Sequence, residues 1–447
     1  MDLMPMKKAI VNTAIFLPLV PVIFFVYKFG ITIPYWDQWE LVPLLEKMHN
    51  NTLTLADLWS QHNEHRIIFP KILMLLLARL SNWNIFLELC TNIVLATFTL
   101  LFLLSMLRDT LKTVPLWLKI FTSLMVFSMV QYENWSWGWQ IQISLAVLGS
   151  VVAIWAANKW QGKTIGLIIV ISAAVLSSYS FNMGLLTWPV VLVVMLLQKK
   201  WRRKHIVILT VACIATVLLY YHKYTIPTHH PPILFFLAHP LIYIRYVLTY
   251  LGASLCWTYF SSFKTALIIL SLISLAIFNI WRFDKQKLRD LAPWLALALY
   301  VCMAACATGL GRAGFGWKQA FSSRYTTISV FLPLSTVVLL CYAVKLSLAM
   351  NKKNFLKNPF FIAAITAAFL ISYINRYHEG TKVMKKTSIR VNASAFCLTS
   401  PQIADEDSLK ILYPDPNIIR PRIKTLSDLG IKFETAEYPQ KKSDAIK

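Results

Sequence analysis

Apolar runs of about 17–25 residues recur along the chain, separated by short polar segments, and each is long enough to cross a hydrocarbon core as a helix. They fall near 9–29, 85–107, 117–131, 139–157, 164–180, 183–198, 205–221, 263–281, 290–309, 326–349 and 359–375. Read together they predict an all-α polytopic membrane protein with about eleven transmembrane helices. The first run is longer than a signal-peptide core and lacks a small-residue cleavage site, so it reads as a retained span. Two apolar pieces fit less well. Residues 67–80 are short and carry Lys71 and Arg79, and residues 233–259 contain Pro240 and Arg245. Both read as re-entrant or interfacial helices on the outer face.

Polar punctuation sets the orientation. With the N-terminus inside, the segments 1–8, 108–119, 158–163, 198–204, 282–289 and 345–358 hold 20 Lys and Arg, against six in the short outer segments 30–66, 132–138, 178–182, 222–232 and 310–325. That bias follows the positive-inside rule. It accounts for most of the formal charge of +24, so nucleic acid is not an expected partner; the lipid bilayer is. The predicted organisation is a transmembrane domain over 1–375, with outer loops 30–66, 222–262 and 310–325, followed by a small extracytoplasmic tail over 376–447. Within the tail, ADEDSLKILY and RPRIKTLSDLG read as helices, the second ended by Gly430. No internal repeat is visible, which weighs against transporters built from duplicated halves. Cys397 is the one cysteine outside the apolar runs, so no disulfide framework is implied.

Unusual chemistry collects in the outer segments. The loop 30–66 carries Asp37, Glu40, Glu46, Asp57 and Glu64 against two bases, and its start, IPYWDQWELV, sets Asp37 and Glu40 between indoles. A partly desolvated carboxylate there suits a general base for a hydroxyl nucleophile, with Glu40 and Glu64 as further candidates. Trp36 and Trp39 offer faces on which sugar rings stack, or form an interfacial aromatic belt. The same choice applies to Trp137 in YENWSWGWQ. QHNEHR places His62, Glu64, His65 and Arg66 together. They suit phosphate binding through Arg66 and His65, with a divalent cation as the competing reading. GLGRAGFGWKQAFSSRY, 309–325, matches the letters of a dinucleotide fingerprint but follows a membrane run rather than a strand. Its glycines with Arg312, Lys318, Arg324 and Tyr325 read as an anion-binding loop or as ordinary surface charge.

This layout resembles the GT-C glycosyltransferases, polytopic enzymes that use polyprenyl-phosphate sugars. The resemblance rests on Asp37 in YWDQWE just after the first run, on NEHRIIFPK, on SRY at 323–325 and on the tail segment CLTSPQIADEDSLKILYPDP. In length and span count the chain is similar to bacterial O-antigen-modifying glucosyltransferases. The resemblance implies a bacterial inner-membrane enzyme with an extracytoplasmic site, Asp37 as base and later basic residues on the donor phosphate. It implies transfer from a polyprenyl-phosphate sugar donor to a glycan or lipid acceptor, with inversion. The chain departs from the family pattern in placing its second acid three residues after Asp37 rather than beside it. The competing expectations are a flippase of lipid-linked sugars, which would carry ionisable groups deep in its spans, and a glycan polymerase or ligase.

Overall fold

The structure, a computed structural model, describes residues 13–228, 230–232, 234–256, 258–351, 356, 358–399 and 404–433. The basic residues of segment 1–8, the start of the first run and the end of the tail lie outside these. Among the described residues the chain is helical, with no strand; the only sheet-like pairing is an isolated bridge between His62 and His65.

Six helices among the described residues are long and apolar enough to cross a membrane: α1 (Ile85–Leu111), α2 (Gly138–Lys159), α3 (Arg203–Tyr221), α4 (Tyr259–Arg289), α5 (Ala292–Phe315) and α6 (Ser323–Ala349). Helices α2 and α6 are 78% and 72% buried and form the centre of the bundle, whereas α3 and α4 are 22% and 28% buried and turn apolar side chains outward. This is an all-α chain suited to a lipid bilayer.

The count of eleven is corrected by length and continuity. The described helix of the first run, Leu19–Phe29, has 11 residues, about 16 Å at 1.5 Å per residue, roughly half a hydrocarbon core. The run at 117–131 is helical only over Leu116–Val126 and then breaks into short turns. Thr164–Ser178 and Asn182–Gln198 are also short. The run at 359–375 is the first half of a 35-residue helix, Pro359–Ala393, which continues into polar sequence. Apolarity marks burial as well as lipid contact: Val170, Ala174, Val190, Val191 and Val194 are fully enclosed by the bundle.

The tail is built into the fold. The boundary expected at 375 falls inside Pro359–Ala393. Val391, Cys397, Leu409, Leu412, Ile419 and Ile423 share one core with Ile31, Trp39, Leu41 and Leu45 of the first loop and with Met74 and Trp83. The two expected tail helices are Glu406–Leu412, capped by Asp405, and Pro416–Asp428, followed by Gly430 at φ +69°. Cys397, expected outside and accessible, is buried in this core. The short piece at 67–80 forms the helix Ile68–Ser81, and 233–259 forms Phe235–Ala238 and Pro240–Gly252.

Candidate functional site

Loop 30–66, the segment 129–140, the turns between α5 and α6, and the tail meet at one end of the bundle. Asp37 lies in a 3-10 turn, Trp36–Leu41. The turn is anchored from below by Gln38, fully buried, whose Nε2 donates to Glu88 Oε2 at 2.7 Å; Trp83 Nε1 donates to the other carboxylate oxygen at 3.0 Å. Gly138 completes this anchor, because a Cβ there would stand 2.2 Å from Glu88 Oε2 and 2.9 Å from Gln38 Nε2. Trp36, immediately before Asp37, adopts φ +48°. This left-handed backbone is unfavourable for a bulky residue, at about 1–3 kcal/mol, and persists where surrounding contacts impose it. Asp37 itself remains 28% exposed, with its Oδ1 3.7 Å from His62 Nε2.

The QHNEHR segment folds into a tight turn. His62 and His65 exchange both backbone hydrogen bonds at 2.8 Å, with Asn63 at φ +46° between them. The turn aims Glu64 at Arg312, which donates to it from the end of α5, while His65 and His230 each place Nε2 3.5 Å from its carboxylate. Burial by itself would raise the Glu64 carboxyl. His65 and the Arg312 guanidinium outweigh it and hold the group well below the usual carboxylate range. Burial drives His65 the other way, down to about 4 against the pull of Glu64. A neutral ring fits its contacts: Nδ1 accepts from the backbone N–H of Asn182 at 3.4 Å, leaving Nε2–H toward Glu64.

Arg324 is held through its backbone. Its N–H donates to Glu133 Oε2 at 2.8 Å, and its carbonyl accepts from Asn134 Nδ2 at 3.1 Å. Its side-chain Nε is buried and has no hydrogen-bond partner among the described residues. The fields of Glu133, Arg312 and Asp37 all reach the guanidinium. A guanidinium so placed retains the capacity to donate to an anion.

The structure divides the remaining sequence candidates. Trp36 is 40% exposed and keeps an open face, but Trp39 is fully buried and Trp137 nearly so, its Nε1 donating to the Tyr35 carbonyl. Neither of these two indoles has a face free for a sugar. Glu40 accepts two hydrogen bonds from Arg422 and one from the Tyr413 hydroxyl, which makes it a tether for the tail. Burial opposes ionisation of Glu40, and those partners overcome it and lower its proton affinity. Arg66, expected on a phosphate, spends its guanidinium on the carbonyls of Tyr220, Trp59 and His222 at 2.5–2.9 Å. Lys318 is exposed and lies over the Tyr259 ring at 4.9 Å. The GLGR of the expected loop is helical, as the last turn of Ala292–Arg312, and 3-10 turns follow it. Tyr325 is buried, stacked on Tyr250 and bonded to Gln319 at 2.9 Å. Among the described residues no group of three or more His, Cys, Asp or Glu is disposed to hold a metal ion.

Three residues join the cluster without a signal in the local sequence. Glu133 positions Arg324, as above. Arg376 is 7% exposed, covers the Phe321 ring at 4.4 Å and leaves its Nε buried without a partner among the described residues. The charge of Arg390 reaches the Tyr35 phenol. Both arginines sit on Pro359–Ala393, beyond the point where apolar sequence stops. The continuation of that helix was the feature that could have revealed them. Comparison with family models, with curated proteins and with solved structures returns no match.

Proposed function

We propose that this chain is a membrane glycosyltransferase of GT-C type. It moves a sugar from a polyprenyl-phosphate donor to a hydroxyl of a cell-surface glycan or lipid on the extracytoplasmic face of a bacterial inner membrane. The observation that carries the reading is the pairing of opposite chemistries in one cluster: Asp37, partly exposed beside His62, within the field of Arg324, whose buried Nε has no hydrogen-bond partner among the described residues.

Those two groups divide the reaction. Asp37 takes the proton of the acceptor hydroxyl as its oxygen attacks the anomeric carbon. The bond from that carbon to the phosphate oxygen breaks, and Arg324 stabilises the charge gathering on the leaving lipid phosphate. A single displacement inverts the anomeric centre. Trp36 offers an open indole face for the sugar, and Arg312, already occupied by Glu64, holds the loop in place. The apolar exterior of the bundle lets a lipid donor reach the site from the bilayer.

The test is transfer by the purified protein in lipid vesicles, with a panel of polyprenyl-phosphate hexoses and release of polyprenyl phosphate as readout. Asp37→Asn should reduce turnover about 10²–10⁴-fold while donor binding and thermal unfolding stay unchanged. Wild-type turnover in Asp37→Asn removes the base assignment. No transfer from any donor, with lipid-linked sugar crossing the vesicle membrane instead, replaces the enzyme reading by a flippase.

A further inference from the structure

At the opposite end of the bundle from Asp37, the last three turns of α1, with Ile15, Val114 and Lys119, line a half-open cavity of about 330 Å³. It lies some 20 residues along α1 from Glu88, about 30 Å at the helical rise. Three cations line it, Arg108, Lys112 and Lys119, above apolar walls that include Ile15, Leu104 and Val114. The neighbouring acid, Asp109, is already paired with Lys159 at 2.8 Å, and the three cations form no ion pair among the described residues. Lys112 also holds φ +62°, a conformation that costs a side-chain-bearing residue energy.

Positive charge near a membrane surface needs only scattered lysines to set topology. Here the charges converge on one concavity with an apolar floor. Leu101, which also lines it, and Trp117 are 45% and 53% exposed. A ligand matched to this shape has a phosphate at one end and hydrocarbon at the other. We infer that the cavity formed by Arg108, Lys112 and Lys119 binds the head group of an anionic phospholipid, with an acyl chain along Leu101 and Leu104. Basic pockets between membrane helices bind anionic head groups by this chemistry. The inference requires only that the chain sits in a bilayer, not that it transfers sugars.

The full chain, purified in non-ionic detergent, is titrated with phosphatidylglycerol, phosphatidylcholine or inorganic phosphate, and retained lipid is counted by native mass spectrometry. Phosphatidylglycerol should be retained one per chain and phosphatidylcholine should not. Removing each cation weakens retention about fivefold, so that the triple variant Arg108→Gln, Lys112→Gln, Lys119→Gln loses about a hundredfold. Val114→Trp keeps all three charges but fills the cavity, and it should also abolish retention. Equal retention of phosphatidylcholine overturns the proposal. So does displacement of phosphatidylglycerol by inorganic phosphate at matched concentration, which moves the source of the phosphate from lipid to solvent. Wild-type retention by Val114→Trp would show that the charges act diffusely and that the cavity is not the site.

Discussion

Glu40 and Arg422 lie 382 residues apart in sequence and meet in a two-pronged ion pair, with contacts of 2.7 and 3.1 Å between the guanidinium and the carboxylate oxygens. Glu40 shares its 3-10 turn with Asp37, so the tail reaches the proposed base through one carboxylate. The pair is partly exposed, 31% and 18%. Breaking it by Arg422→Ala should therefore cost only roughly 1–2 kcal/mol but lower transfer by loosening Asp37. The exchange Glu40→Arg with Arg422→Glu should recover much of the loss. Thermal unfolding and turnover of the three variants provide the measurement, and failure of the exchange to recover either would show that the two residues act separately.

Glu64 and His65 set the acid limit of the fold. Glu64 is held below its ordinary value, so its contribution is complete above the unfolded carboxylate value and is lost as pH falls through the folded one. His65 titrates near 4 when folded and at its usual 6.5 when unfolded. Between those values the unfolded chain binds the extra proton and stability declines as pH drops. Melting temperature should therefore fall from pH 6.5 toward 4. His65→Asn should flatten that fall, and an unchanged slope would place the pH dependence elsewhere.

Arg324 and Arg66 should separate binding from folding. Arg324→Ala removes a donor whose Nε has no partner among the described residues, so the protein should fold and its apparent KM for the lipid donor should rise about tenfold or more, the weight of a charge-assisted contact. Arg66→Ala strips hydrogen bonds from three backbone carbonyls and should lower melting temperature and yield first. Donor titrations of both purified variants check this, and an unchanged donor dependence in Arg324→Ala would refute its role.

Gly138→Ala tests the anchor under Asp37. The added methyl meets Glu88 and Gln38 at distances no side chain tolerates, and overpacking of this kind costs about 1–3 kcal/mol. Melting temperature and turnover should fall together. Full activity in a folded Gly138→Ala protein would mean that Gln38 does not position Asp37.

The apolar runs alone determined the class of this protein, an all-α membrane chain, because length and hydropathy are local properties. They also put Asp37, Glu64, Arg312 and Arg324 in short segments between runs, and the structure gathers those residues in one cluster. The number of spans was not legible, since a helix enclosed by its neighbours can be as apolar as one turned outward; Gly138–Lys159, 78% buried, and Arg203–Tyr221, 22% buried, show it. Nor was the fate of each candidate within its motif. Trp36 and Trp39 stand three positions apart, yet one is 40% exposed and the other buried. Arg66 and Arg324 look alike in sequence, but the guanidinium of one meets three carbonyls, whereas the Nε of the other meets no partner among the described residues. Glu40 looked like a second acid until Arg422 arrived from the far end of the chain. Such assignments depend on partners brought close only by folding, and a charged side chain carries no local mark of whether its partner lies inside the protein or in a ligand.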